Sequence, residues 1–133
     1  MKWLMLLMLL ALAGCASQAA TLDLEGTQWQ LESIDGDPLV AGSMITLQFD
    51  AGGAAGGNSG CNSYGGGYSL EGSRITFDEI GSTLMACLEE NIMEQEAAYL
   101  GALLSAQEVS LEGDRLTITS DGGALVFVKV LGE

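Results

Sequence analysis

Apolar and polar residues alternate along much of the chain, in the pattern typical of strands that have one face in a core and the other in water. In the segment 27–34, the apolar Trp29 and Leu31 alternate with glutamine and glutamate, and the segment 45–49 repeats this alternation. The run 35–38, with the sequence Asp-Gly-Asp-Pro, predicts a turn between them. The pattern therefore predicts two early strands that place Trp29 in the core.

Two later segments are almost copies of each other. Residues 69–77 and 110–118 each combine a strand pattern, a glycine turn and a second strand pattern, so each predicts a β-hairpin. Arg74 and Arg115 follow a glutamate by three positions across these turns, and we expect a cross-strand ion pair in both hairpins. The likeness indicates either an internal duplication or two turns with the same chemistry.

The C-terminal third and the segment before it complete the predicted elements. Residues 124–131 are apolar on both faces, which predicts a central strand and hence a three-stranded meander. Residues 89–104 predict the one helix, which needs a sheet to cover. Its apolar stripe and the flank of that stripe consist of Leu88, Ile92, Tyr99 and Leu103, and of Met93, Ala97, Leu100 and Leu104. The chain is thus predicted to be mainly β with one packed α-helix.

The N-terminus predicts export. Lys2 precedes an apolar run that is too short to span a bilayer, and the run ends in Leu-Ala-Gly-Cys at 12–15, which resembles the lipobox of bacterial lipoproteins. We expect residues 1–14 to be a signal peptide that is removed and Cys15 to carry the lipid. A plain secretory signal followed by a chance cysteine is the alternative.

The expected anchor also predicts a location. Residues 15–21 would form a short tether that attaches the domain, residues 22–133, to the membrane. In the lipoprotein class the residue after the lipidated cysteine usually decides sorting, and Ala16 is not the aspartate that commonly retains a protein in the inner membrane. We therefore expect the protein in the outer membrane, facing the periplasm.

The net charge excludes one class of partner. The chain carries 18 acidic and 4 basic residues, which gives a formal charge of −14. Because nucleic-acid binding depends on lysine and arginine that neutralise phosphates, we expect no nucleic-acid partner. The acidic surface favours solubility, and an acidic docking face is the alternative.

Two cysteines remain in the expected mature protein, Cys61 and Cys87, in an oxidising compartment. We expect them to form a disulfide that closes a loop of about 25 residues and stabilises the fold by roughly 3 to 4 kcal/mol. Two buried free thiols are the alternative.

No catalytic set is present in the sequence. The chain has no histidine, which removes the commonest general base and every nucleophile pair or zinc site that uses imidazole. The glycine-rich run 51–67 lacks the lysine of a phosphate loop, so we expect its glycines to let strands approach or bend; Asn58 and Asn62 in the same run tolerate left-handed turns. Calcium at the acidic pairs 35/37 or 89/90 is a weaker alternative. We expect no enzyme activity, no metal and no cofactor.

Three blocks of the sequence resemble one known family. Leu-Glu-Gly-Thr-Gln-Trp at 24–29, Gly-Cys-Asn-Ser-Tyr at 60–64 and Ser-Thr-Leu-Met-Ala-Cys at 82–87 are similar, in order and spacing, to motifs of the META/HslJ domain. The matching residues are Trp29, Gly60, Cys61, Asn62, Tyr64, Thr83, Met85 and Cys87, with Glu96 and Tyr99 on the following helix.

The resemblance implies a compact antiparallel β-barrel-like fold with one helix, on a bacterial lipoprotein or another envelope protein. It also implies an association with heat shock or stress, but it supplies no catalytic residues to transfer. We therefore expect a non-enzymatic protein that acts in stress tolerance or outer-membrane maintenance by binding an envelope protein or a lipophilic ligand. The alternative is a pilot-like or inhibitor-like module that docks one specific envelope protein by a sheet edge or the glycine-rich segment.

Overall fold

The computed structural model describes residues 22–131, so the expected signal peptide, Cys15 and the expected tether lie outside the described residues. Within this range the chain forms nine strands and one α-helix, with a short 3-10 turn at Ala51–Gly53. The elements in chain order are β1 (Gln28–Ile34), β2 (Asp37–Pro38), β3 (Thr46–Asp50), β4 (Ala54–Asn58), β5 (Ser63–Glu71), β6 (Arg74–Ser82), α1 (Glu90–Leu104), β7 (Glu108–Glu112), β8 (Arg115–Ser120) and β9 (Gly123–Lys129). The prediction of a mainly β chain with one helix is confirmed.

Eight of the strands close into an antiparallel barrel. Each of β3 to β9 pairs with its neighbour in sequence, and β1 pairs with both β3 and β9, which closes the sheet. The two-residue β2 pairs only with the end of β1. The β6–β7 pairing is short, with Arg74 opposite Glu108, and α1 packs next to β6 and β9. The predicted barrel-like fold and the C-terminal meander, β7–β8–β9, are confirmed.

Successive strands of the barrel run in opposite directions, so each end of the barrel consists of the starts of some strands and the ends of the others. We call the end where β1, β4, β6 and β8 begin the base, and the opposite end the strap end. Residues 22–27 lie at the base, where Gly26 N–H donates to the carbonyl of Phe49 near the end of β3. Residues 83–89, which connect β6 to α1 without regular secondary structure, form the strap at the other end.

The interior is filled by the inward-facing residues that the alternation predicts. Trp29 and Leu31 are almost fully buried, whereas Gln28 and Gln30 between and beside them are exposed. The largest fully buried side chains come from five strands, from residues that precede two of these strands, and from the helix: Leu24, Trp29, Ile45, Leu47, Phe49, Ile75, Tyr99, Leu103, Leu116, Ile118, Leu125 and Phe127. The core is therefore a packed barrel interior sealed by α1.

Both predicted hairpins form, as β5–β6 and β7–β8. Their two-residue turns begin at Gly72 and Gly113 with φ of 61° and 60°, which glycine adopts without the steric cost of a Cβ. The expected ion pairs within the hairpins are wrong. Arg115 reaches past β9 to Glu32 of β1, with Nη1 2.8 Å from Oε2, and Arg74 forms no ion pair with any described residue.

The glycine-rich run forms β4, β5 and the turn between them, at close approach to neighbouring backbone. A Cβ on Gly56 would lie 2.7 Å from the carbonyl oxygen of Tyr64, and a Cβ on Gly66 would lie 2.7 Å from those of Asp78 and Glu79. The predicted role of these glycines in close packing is confirmed. Neither asparagine adopts a left-handed backbone conformation: Asn58 accepts a hydrogen bond from Gly60 N–H at its Oδ1, and the side chain of Asn62 is buried.

Candidate functional site

A buried carboxylate connects the helix to the barrel at the strap end. Glu96, on the inward face of α1, is only 5% exposed. Its Oε1 accepts hydrogen bonds from the Ser59 hydroxyl at 2.5 Å and from Asn62 N–H at 2.7 Å, and its Oε2 accepts one from Asn62 Nδ2 at 2.8 Å. Cys61 N–H lies 3.4 Å from Oε1 as a weaker donor. The charge is thereby stabilised by donors from the loop that follows β4.

Asn62 extends this network from the helix to the strap. Its Oδ1 accepts from the Thr83 hydroxyl at 2.9 Å and from Met85 N–H at 2.7 Å, while its Nδ2 donates to the Met85 carbonyl at 3.2 Å as well as to Glu96. One buried side chain thus satisfies both backbone groups of Met85. We call the set Ser59, Asn62, Thr83 and Glu96 the clamp.

The clamp keeps Glu96 ionised. Burial of the carboxyl raises its pKa, and the hydrogen bonds from Ser59, Asn62 and Cys61 together lower it by more, so that the pKa of Glu96 lies below its ordinary value. A carboxylate with this many donors is a structural anion. Hydrogen bonds from the protein engage both of its oxygens, with two short bonds to Oε1 and one to Oε2.

A disulfide lies beside the clamp. Cys61 and Cys87 are bonded, with their Cα atoms 6.1 Å apart, as the cysteine count predicts. The bond joins the loop after β4 to the strap, close to where Asn62 binds Met85. The strap is therefore fixed at Thr83, Met85 and Cys87, although nearly all of its residues are exposed.

Two tyrosine hydroxyls form a second polar contact in the interior. Tyr64 donates to the carbonyl of Thr46 at 2.7 Å, and the hydroxyls of Tyr64 and Tyr99 lie 2.6 Å apart. Because Tyr64 donates to Thr46, Tyr99 is the donor between them. Burial raises the pKa of both phenols above the ordinary value of tyrosine. Both hydroxyls remain protonated near neutral pH and hold the helix against the barrel wall.

The outer side of the strap exposes apolar side chains. Leu84 is 94% exposed, Met85 is 59% exposed and Leu88 is fully exposed. An open cavity of about 510 Å³ lies between residues 86–89 and the turn 41–43, and Gly60 and Ile92 also line it. Apolar side chains held in water on a fixed backbone are typical of an interaction surface.

Sequence and structure comparisons place these features in a family. The META domain model matches residues 22–130. The chain belongs to the META domain family. No curated protein matches its sequence.

Solved structures support the same fold. A protein from Burkholderia xenovorans, solved by NMR, is 28% identical, with a TM-score of 0.69 over 82% of this chain and 85% of its own. A second NMR structure is 22% identical, with a TM-score of 0.64 over 77% and 87% of the two chains. A DUF4847 family protein from Bacteroides vulgatus, in a crystal structure, is 14% identical, with a TM-score of 0.54 over 80% and 94%. The last two show the fold alone.

Six of the eight residues on which the resemblance to the META domain rests meet at one place. Gly60, Cys61 and Asn62 lie in the loop that binds Glu96, while Thr83, Met85 and Cys87 are the strap residues fixed to that loop. The clamp and the disulfide include four of these positions, Asn62, Thr83, Cys61 and Cys87, and Met85 is bound by Asn62, while Tyr64 and Trp29 belong to the interior. In this chain the motif builds the attachment of helix and strap to the barrel.

Sequence patterns do not predict two features of the site correctly. Ser59 is fully buried against Glu96, but no pattern singles it out beyond its place before Gly60. Leu88 is wrongly predicted in the apolar stripe of the helix: α1 begins at Glu90, and Leu88 points into water from the strap. Ile92, Tyr99 and Leu103 are buried as expected, and Leu104 of the flank is exposed.

Residues 22–131 contain no group of three or more carboxylate or thiol side chains placed to hold a metal ion. Of the acidic pairs considered for calcium, Asp35 accepts a hydrogen bond from Ala124 N–H at 2.8 Å, and Glu89 precedes the first turn of α1. In the same range, no helix has the length and apolar character needed to cross a membrane.

Proposed function

We propose that this META domain protein is a lipoprotein of the cell envelope, anchored through Cys15, that acts by binding another envelope component and catalyses no reaction. The anchor rests on the sequence Leu-Ala-Gly-Cys at 12–15 after a short apolar run. The binding role rests on the strap, which carries Leu84, Met85 and Leu88 in water. This exposure is the single observation that carries the proposal.

The fixed backbone of the strap supports a binding role for its exposed apolar side chains. Binding by a mobile loop costs conformational entropy, and a loop held at several points has already lost that freedom. Thr83, Met85 and Cys87 hold this strap through the clamp and the disulfide. Apolar side chains presented in this way favour association with little ordering cost.

The cellular role we propose is stress tolerance or outer-membrane maintenance from the periplasmic side. The support is the family's association with stress and Ala16 after the expected lipid-bearing cysteine. A non-enzymatic mode is supported by the lack of histidine in the whole chain and by Glu96, whose two oxygens already accept three short hydrogen bonds from Ser59 and Asn62.

A pilot-like or inhibitor-like module that docks one specific protein is the second candidate. The strap favours it over a lipophilic-ligand carrier, because large side chains such as Trp29, Phe49 and Tyr99 fill the barrel interior where such a ligand would bind. Docking by a strand is less favoured than docking by the strap, because the sheet closes on itself and leaves few free edges.

In-cell crosslinking tests the proposal. We expect tagged protein to fractionate with membranes, and crosslinking to recover one component repeatedly. The matched control is Cys15→Ser, which should release the protein from membranes and reduce the recovered component. Unchanged membrane fractionation of Cys15→Ser would contradict the anchor, and turnover of an envelope substrate by the purified protein would contradict the non-enzymatic role.

A further inference from the structure

The strap end differs from the base in lacking cations among the described residues. Arg74 and Arg115 are the first residues of β6 and β8, and Lys129 is the last residue of β9. All three cations of the described residues therefore lie at the base. No described cation lies near the strap, whereas the base combines its acids with these three cations.

The strap end carries acidic residues without cations among the described side chains. Asp35 and Asp37 come after the end of β1, Asp121 follows the end of β8, and Glu89 and Glu90 stand at the start of α1. All five residues are exposed. Apart from the bond of Asp35 to Ala124 N–H, no described hydrogen bond or ion pair engages their side chains. Glu89 also lines the cavity beside Leu88. The end of the barrel that exposes the apolar strap thus carries negative charge without a cation among the described residues, and Glu89 and Glu90 adjoin the strap directly.

We propose that the strap and the adjoining cavity dock a cationic polypeptide segment that carries apolar side chains. This inference rests on the proposed binding function and names the chemistry of the partner. Leu84, Met85 and Leu88 would contact apolar side chains of the segment, and its lysines or arginines would lie against the acids around the strap.

Two other occupants fit these charges less well. A second copy of the chain would bring one acidic strap end against another, and like charges facing each other oppose association. An anionic membrane surface is repelled by the same acids. The strap also lies at the opposite end of the barrel from residue 22, the side on which the expected anchor attaches. A positively charged partner away from the anchor satisfies both the charge and the geometry.

Peptide binding to the full chain in neutral detergent tests the proposed chemistry of the partner. The probe is a fluorescent twelve-residue peptide of alternating lysine and leucine, compared with peptides in which glutamate replaces lysine or serine replaces leucine. We expect the lysine–leucine peptide to bind about tenfold or more tightly than either comparison peptide. Equal binding of the three peptides would overturn the proposal.

Matched variants test where on the protein the peptide binds. Leu84→Ser with Leu88→Ser should weaken binding of the lysine–leucine peptide about tenfold. Leu131→Ser, which changes a leucine that is 79% exposed at the base, should leave it unchanged. Glu89→Gln with Glu90→Gln should weaken binding most at low salt, whereas Glu112→Gln with Asp114→Asn at the base should not. Equal losses at both ends would show non-specific attraction and overturn the proposal.

A photo-crosslinking residue at position 88 or 131 in cells separates this inference from the proposed function. Capture at 88 of a segment rich in lysine or arginine, without capture at 131, supports both. Capture of a partner only at 131 overturns the strap inference and leaves a binding function in place. Capture at 88 of a lipid or an acidic segment overturns the partner chemistry, and capture at neither position overturns both proposals.

Discussion

Glu96 shows how a buried charge is made tolerable at the scale of one residue. An ionised carboxylate in an apolar environment costs several kcal/mol unless donors replace its water. Ser59 and Asn62 supply three short hydrogen bonds, and neither residue has its own donors left unsatisfied by this arrangement. The clamp therefore depends on Glu96 remaining charged.

Removing that charge should destabilise the fold in a pH-dependent manner. Glu96→Gln places an amide N–H₂ opposite a donor of the clamp, so we expect the free energy of unfolding at pH 7 to fall by about 2 kcal/mol. Because the folded pKa of Glu96 is lowered, its stabilisation is fully present above the unfolded value of about 4.3 and is lost as the pH falls through the folded pKa.

Urea denaturation between pH 3 and 7 measures this effect. The difference between wild type and Glu96→Gln should be constant near neutral pH and shrink at the acidic end of the range. Glu94→Gln, on an exposed position of the same helix, is the control and should change little. A difference that does not vary with pH would mean that Glu96 contributes by its shape alone.

Neighbouring glycines in β5 should differ sharply in their tolerance of a methyl group. A Cβ on Gly66 would lie 2.7 Å from two carbonyl oxygens of β6, whereas a Cβ on Gly65 would lie 3.6 Å from its nearest neighbour, the Ala55 carbonyl oxygen. We expect Gly66→Ala to cost about 2 kcal/mol and Gly65→Ala less than about 0.5 kcal/mol. Thermal unfolding of the two variants checks this, and equal melting temperatures would refute the close approach.

At the scale of an element, the strap is a connection that its own sequence does not hold in place. It has no regular secondary structure, and its attachments come from Asn62 of a distant loop and from the disulfide with Cys61. Since the disulfide spans 26 positions, its loss should enlarge the unfolded ensemble substantially.

Reduction of the disulfide should lower the free energy of unfolding by about 3 kcal/mol. We expect the barrel to stay folded, because its strand pairing and core do not include the bond, but to melt at a clearly lower temperature. Melting with and without dithiothreitol measures the change. The Cys61→Ser, Cys87→Ser double variant should melt at the same temperature as the reduced protein, and dithiothreitol should not change its melting temperature. An effect of dithiothreitol on that variant would point to another cause.

The strands were predictable because alternation is local. A period of two places Trp29 and Leu31 on one face whatever the rest of the chain does, and glycine turns mark both hairpins. The exact start of the helix was not predictable: a helical period extends equally well to Leu88, but α1 begins at Glu90, and the long-range disulfide at Cys87 fixes the chain just before it.

The site was predictable only in part, for a related physical reason. Family resemblance marks Asn62, Thr83, Met85 and Glu96, but the hydrogen bonds that join them span 21 to 34 positions of sequence and depend on barrel closure. Arg115 shows the same limit. Its turn places a glutamate directly opposite, yet the closed sheet brings Glu32 of β1 within reach.

At the scale of the whole molecule, the barrel separates two tasks. The chain enters the described region at the base, where the cations lie, and the strap presents its apolar side chains at the other end. The five residues of β3 alone separate these ends by about 17 Å. If Cys15 carries the lipid, the seven residues 15–21 add at most about 25 Å between membrane and base.

This geometry predicts an orientation for the anchored protein. A fluorescent amino acid placed at position 131 or 88 of the full lipidated chain, in neutral phosphatidylcholine vesicles with head-group quenchers, should be quenched more strongly at 131. The matched control is Cys15→Ser, which should show weak and equal quenching at both positions. Stronger quenching at 88 would place the strap against the bilayer and favour a lipid contact. Equal quenching in the anchored protein would mean that the domain turns freely on its tether, and the case for a partner away from the membrane would then rest on charge alone.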